Sequence, residues 1–96
     1  MEPFYKLPFR KFVKKQTRAF QLAIEDEVQK IMTVPDLGEA KIGDLVGFRV
    51  HKFSFGRKKF LIAYRLQGEE MVFFTIGSHE KFYRELKKYL QEVAWE

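Results

Sequence analysis

The stretch FRVHKFSFGRKKFLIAYRLQGEEMVFFTIGS, residues 48–78, decides the fold. Its residues recur with period two. Phe48, Val50 and Lys52 alternate with Arg49, His51 and Phe53, as a half-buried strand requires. Gly56 and the basic tripeptide Arg57, Lys58 and Lys59 read as a turn, followed by a second strand over Phe60–Leu66. Gln67–Glu70 reads as a second turn, in which Gly68 can take a positive φ. Met71–Ile76 is apolar on both faces, which predicts a central, covered strand. Turns this short join antiparallel neighbours.

Working outward, Gly77 is expected to break the third strand and Ser78 to cap a final helix. Phe82, Leu86, Tyr89, Leu90 and Val93 form that helix's apolar face. Upstream, Asp36–Gly47 is a loop punctuated by Gly38, Gly43 and Gly47. Pro35 closes an amphipathic helix with Thr17 as its N-cap. Its Phe20, Ala23, Ile24, Val28, Ile31 and Met32 recur at three- and four-residue steps. An earlier helix puts Phe9, Phe12 and Val13 on one side and Arg10, Lys11 and Lys14 toward the other. Phe4–Leu7 reads as an opening strand stopped by Pro8. The pattern predicts an α+β fold: an N-terminal strand and helical hairpin packed on a small twisted, mainly antiparallel sheet, with a C-terminal helix. The helices are expected to cover one face of that sheet.

The 96 residues make one domain, 1–96, because a chain this short has no room for two useful cores. Eleven residues are phenylalanine, which thickens a thin core. Cysteine is absent, so neither a disulfide nor a Cys/His metal cluster is expected, and no cofactor. The opening MEPFYKLPF carries no signal-peptide pattern, and Met71–Ile76, the longest apolar run, is too short to span a bilayer. A soluble, cytoplasmic protein with no membrane partner is expected. The formal net charge of +5 makes a polyanion the default partner. Basic residues fall in three groups: Lys6 with Arg10, Lys11, Lys14, Lys15 and Arg18; Arg57 with Lys58 and Lys59; and Lys81 with Arg84, Lys87 and Lys88. No P-loop, dinucleotide glycine pattern, Ser/His/Asp order or paired metal-ligand spacing is found.

Three stretches together resemble the RelE/ParE superfamily of type II toxin–antitoxin toxins. The first, VPDLGEAKIGDLVGFRV at 34–50, has a proline, a glycine-containing loop and a Gly-aromatic-Arg run into a strand. KKFLIAYRLQ at 58–67 follows a basic turn. In TIGSHEKFYRELKKYL at 75–90 a strand runs into a glycine, a polar or basic pair and a tyrosine. The likeness spans roughly residues 4–90. It implies a ribosome-associated messenger RNA endonuclease or, in the ParE branch, a gyrase poison without nuclease activity. It also implies a cognate antitoxin whose extended chain wraps the toxin. The toxin alone is then expected as a monomer, with a higher-order complex forming on antitoxin binding.

Metal-independent RNA cleavage uses the ribose 2′-hydroxyl as nucleophile, so it needs proton carriers and fixed positive charge. Histidine and arginine meet those two needs. The chain has two histidines. His51 shares a strand face with Arg49, and His79 follows the third strand. On the expected meander the two histidines converge on one concave side. His79 and Tyr83, four residues apart, project from one side of a first helical turn. The assignment expected is His79 as general acid or base, Tyr83 for base stacking or orientation, Arg49 for transition-state charge, and His51 as a second proton carrier or phosphate donor. Lys11, Lys14, Lys15, Arg18, Arg57, Lys58, Lys59, Lys81 and Arg84 are the expected RNA contacts. Structural roles compete with these: Tyr83 could extend the helix's apolar face, and Arg49 could pair with Asp44. The pattern also departs from that of many RNA-cutting relatives, which carry an arginine where this chain has Leu61. Either Arg57, Lys58 or Arg65 substitutes, or the chemistry rests more on histidine, or the chain is no nuclease. A ParE-like gyrase inhibitor and a non-enzymatic nucleic-acid-binding module are the alternatives.

Overall fold

The period-two stretch forms three strands, β3 (Arg49–Phe55), β4 (Lys58–Gln67) and β5 (Glu70–Ser78). This computed structural model describes residues 2–93, with side chains through residue 92. Both hairpin turns have two residues, tighter than the pattern predicts. Each begins with a glycine of positive φ, +63° at Gly56 and +61° at Gly68. That is the type II′ arrangement, whose twist matches that of its flanking strands. Lys58 and Lys59 therefore lie in β4 rather than in the turn.

The opening strand is β1 (Glu2–Tyr5), pairing parallel to β5 with Tyr5 opposite Phe73. Pro8 does not stop it. Helix α1 (Leu7–Lys14) begins before Pro8, which sits in the first turn, where its missing N–H costs nothing. Helix α2 (Arg18–Thr33) starts at the expected cap: the Thr17 hydroxyl accepts from Phe20 N at 3.2 Å. A two-residue strand, β2 (Glu39–Ala40), and a 3-10 turn at Gly43–Leu45 occupy the loop. Strand β5 runs through Gly77 to Ser78, so Gly77 breaks nothing and Ser78 caps nothing. Helix α3 (Phe82–Val93) instead follows a turn at residues 79–81. Among the described residues no helix is long and apolar enough to cross a membrane.

The sheet order is β1-β5-β4-β3-β2, antiparallel except for β1 with β5. Both of its faces are covered, which corrects the one-face expectation. Phe9, Phe20, Ile24 and Ile31 of the hairpin pack against Phe60, Ile62 and Phe73. On the other face, Phe82 and Leu86 of α3 pack against Val50, Leu61, Ala63 and Phe74. Val93, expected on α3's apolar face, has a side chain outside the described residues. Phenylalanines fill the thin core: Phe20 lies 4.7 Å from Phe60, ring to ring, and the exposed Phe55 stacks on Phe20 at 4.6 Å. Alternation then fixes directions along β3. Val50 is packed toward α3, whereas His51 and Phe53 turn toward α2.

Tyr64 of β4 pins the chain that leaves α2. Its buried hydroxyl donates to Pro35 O and accepts from Gly38 N, both at 2.7 Å. A Cβ on Gly38 would stand 2.8 Å from the Tyr64 ring and hydroxyl, so only glycine passes there. This anchor sets the start of the loop that carries Leu37, Glu39 and Lys41 to the α3 side.

Candidate nucleic-acid cleft

Two adjoining concavities open between β3, β4 and the start of α3. The first, about 410 Å³, is bordered by Glu39, Lys41, Lys52, Leu61, His79 and Tyr83 among others. The second, about 630 Å³, is bordered by Lys52, Arg57, Lys58, Lys59, His79 and Lys81, with one acid, Glu80. Lys52 and His79 border both. None of Arg57, Lys58, Lys59 and Lys81 lies within ion-pair distance of a carboxylate among the described residues. Four unneutralised cations around one basin form a field that attracts a polyanion.

His79 sits in the turn before α3, not in the helix. Its backbone N–H donates to Lys59 O at 3.1 Å, which ties this turn to the basic end of β4. The imidazole-bearing residue is exposed. Tyr83 stands half-buried in the first turn of α3, edge-on to Phe82 at 5.1 Å. His79 and Tyr83 thus border one cleft, His79 from a turn and Tyr83 from a helix.

The side chains of Arg49 and His51 do not join them. Arg49 Nη1 donates to Gly38 O at 2.7 Å and Asp36 O at 3.2 Å, so it fastens the loop after α2. The suggested pairing with Asp44 does not form; Asp44 lies 4.0 Å from Lys87 instead. His51 borders the cleft, but its imidazole points away, with Nε2 2.8 Å from Glu27 Oε1 on α2. Glu27 also accepts from Lys30 at 2.8 Å. Burial opposes ionisation of Glu27, but the hydrogen bonds from His51 and Lys30 outweigh it and hold the carboxyl below its ordinary range. The expected convergence of the two histidines is therefore not what their side chains do.

The basic residues of the first group lie elsewhere. Lys14 and Arg18 border a groove between α1 and α2, and Lys11 and Lys15 a groove between α1 and α3. Arg84 is exposed on α3 and borders neither concavity of the cleft.

Three cleft residues escape the sequence reading. Lys52 pairs directly across from Leu61, on the face that Val50 and Leu61 share. A cation at position 52 thus stands beside the position where many nuclease relatives carry arginine. Lys41 lies with its ammonium 5.2 Å from the Tyr83 ring centroid and 2.9 Å from Glu39 Oε1. The Tyr83 hydroxyl and then the Glu39 carboxylate raise the Lys41 pKa, and Lys41 in turn lowers that of Glu39. The period-two alternation contained the signal for Lys52. Lys41 and Glu39 sit in a loop whose path no local pattern specifies.

Over residues 5–87 the chain matches the family described as ParE-like toxin of type II bacterial toxin–antitoxin system. The chain belongs to this family. Its toxin therefore has a cognate antitoxin as partner, and the RelE/ParE resemblance read from three stretches is borne out. Among solved structures, the toxin is similar to a conserved hypothetical protein from Helicobacter pylori, known as a solution structure. The two share 18% identity with a TM-score of 0.47, over 83% of this chain and 96% of that one. No curated protein sequence matches the toxin.

Proposed function

We propose that this toxin is an endoribonuclease that cleaves messenger RNA on the ribosome and so inhibits translation, without a metal. The observation that carries the reading is the position of His79. It is the histidine common to a cleft holding Tyr83 and Lys41 and a basin ringed by cations without an ion-pair partner among the described residues. In the basin, Arg57, Lys58, Lys59 and Lys81 hold consecutive phosphates. In the cleft, His79 exchanges the proton of the 2′-hydroxyl, and Lys52 supplies the charge that a crowded phosphorane needs. Attack of the 2′-oxygen on phosphorus expels the 5′-oxygen, leaving a 2′,3′-cyclic phosphate and a 5′-hydroxyl. The test is a transcript-cleavage map taken minutes after induction, for wild type and His79→Ala. Wild type should cut translated messages and His79→Ala should not, while both remain folded. A fully toxic, fully cleaving His79→Ala would remove His79 from the reaction.

One observation favours a second reading. Leu61, 2% exposed, fills the position where many RNA-cutting relatives carry arginine. A gyrase inhibitor needs no catalytic charge there. On that reading, induction damages DNA and leaves transcripts whole, so the same map separates the two.

A further inference from the structure

The Tyr83 ring is not free on both faces. The Lys41 ammonium lies over it, and the Lys41 side chain is only 21% exposed, held by Glu39 from the neighbouring strand. A nucleobase stacking on that face would have to displace a partly buried cation–π contact as well as an ion pair whose carboxylate is exposed. Lysine also carries donors and no acceptor, so any contact with the Tyr83 hydroxyl makes the tyrosine oxygen the acceptor. A hydroxyl that accepts from Lys41 keeps its phenolic proton for a different acceptor. Tyr83, Lys41 and Glu39 form a chain in which each group orients the next, from β2 and its loop to α3.

We infer that Lys41, anchored by Glu39, is a positioning residue that commits Tyr83 to act through its hydroxyl, as proton donor to the departing 5′-oxygen, rather than through its ring. The inference rests on the endoribonuclease reading. In the step, His79 takes the proton of the 2′-hydroxyl, the O2′–P bond forms and the P–O5′ bond breaks. The 5′-oxygen takes the Tyr83 proton, and the resulting phenolate lies against the Lys41 ammonium until it regains a proton from solvent. No oxidant, reductant or further reactant is needed. Lys41, a lysine beside a carboxylate, stays charged across the working pH range. Neither Lys41 nor Glu39 belongs to a sequence motif for cleavage; the loop anchored by Tyr64 brings them there.

The test is single-turnover cleavage of a short RNA on programmed ribosomes by Tyr83→Phe, Lys41→Met, the double variant and Lys41→Arg, with RNA affinity measured alongside. Tyr83→Phe keeps the ring and should slow cleavage about 100-fold, within the range for loss of a general acid. Lys41→Met should slow it about 10- to 100-fold with affinity changed less than about threefold, and Lys41→Arg should restore most of the rate. In the Tyr83→Phe background, Lys41→Met should have no more than about a threefold further effect, because both act through one hydroxyl. Glu39→Gln should weaken the rate in the same direction, a second route should Lys41→Met fail to fold. Multiplicative losses in the double variant, a near-normal Tyr83→Phe, or a Lys41→Met loss confined to affinity would each overturn the inference while leaving the nuclease reading intact. A wild-type protein that leaves RNA whole overturns the nuclease reading, and this inference with it.

Discussion

Replacing Tyr64 by phenylalanine removes one oxygen atom and should cost this small protein much of its stability. The ring stays packed against Phe73, 6.0 Å away centroid to centroid, so core volume is preserved. What goes is a hydroxyl making two hydrogen bonds of 2.7 Å, one accepted from Gly38 N and one donated to Pro35 O. A net hydrogen bond contributes about 1 kcal/mol, and a buried backbone group left unpaired costs about 1–3 kcal/mol. Gly38 is buried, so its N–H loses its partner with little access to water, while Pro35 is only partly buried. The sum is about 2–4 kcal/mol, which at about 4–8 °C per kcal/mol lowers the melting temperature by about 8–32 °C. Urea and thermal unfolding followed by circular dichroism measure the loss. Amide hydrogen exchange locates it, because protection at Gly38 should fall more than protection in β4 and β5. A loss under about 0.5 kcal/mol with Gly38 still protected would refute the anchor, and with it the account of how Glu39 and Lys41 reach the cleft.

Three further outcomes follow from the same geometry. Gly38→Ala should destabilise at least as much as Tyr64→Phe, since its Cβ meets Tyr64 at 2.8 Å and the Val50 backbone at 3.0 Å; thermal melts of the two variants make the comparison. Glu27 has a depressed folded pKa, so its contribution is complete above the ordinary carboxylate value of 4.5 and lost as pH falls through the lower folded value. Acid titration of stability should therefore be shallower below pH 4.5 in Glu27→Gln, and an unchanged slope there would sink the assignment. Replacing Lys58 and Lys59 together by alanine should weaken RNA binding for all sequences alike and flatten its log–log salt dependence by about 1.4, at about 0.7 per single-strand phosphate contact. An unaltered slope would place the RNA elsewhere.

The strands were legible because hydrophobic alternation and two glycines specify them locally. Gly56 and Gly68 both take the positive φ that a two-residue turn demands. The N-cap at Thr17 and the apolar stripe of α2 were legible for the same reason. Two local signals misled. Pro8 reads as a stop, yet a proline in the first turn starts a helix as readily as it ends a strand. Gly77 reads as a break, yet it is buried in a strand paired on toward Ser78, where a residue without a side chain still keeps its ladder partner Leu61. The parallel pairing of β1 with β5 was not legible at all, since its partners are nearly seventy residues apart and no local spacing encodes them.

The candidate site turned on a single choice of face. Alternation along β3 correctly separates Arg49, His51 and Phe53 from Val50 and Lys52. Expecting both histidines to converge on one concave side of the meander then assigned the cleft to the histidine face. Once α3 covers the opposite face, the cleft formed by its first turn falls on the side of Val50, Leu61 and Lys52. His51 and Arg49 are left holding α2 and its following loop, through Glu27 and through the carbonyls of Asp36 and Gly38. The same change of face bears on the missing arginine. Position 61 is the direct cross-strand neighbour of position 52, close enough for one side chain to stand in for the other. The apolar residue completes the core beneath α3, while the cation remains exposed at the cleft. A nuclease built this way keeps its charge one strand over, and Lys52→Met should then slow cleavage as the loss of that arginine would in a relative. A gyrase inhibitor would be indifferent to the change, so the toxicity of this one variant weighs the two activities against each other.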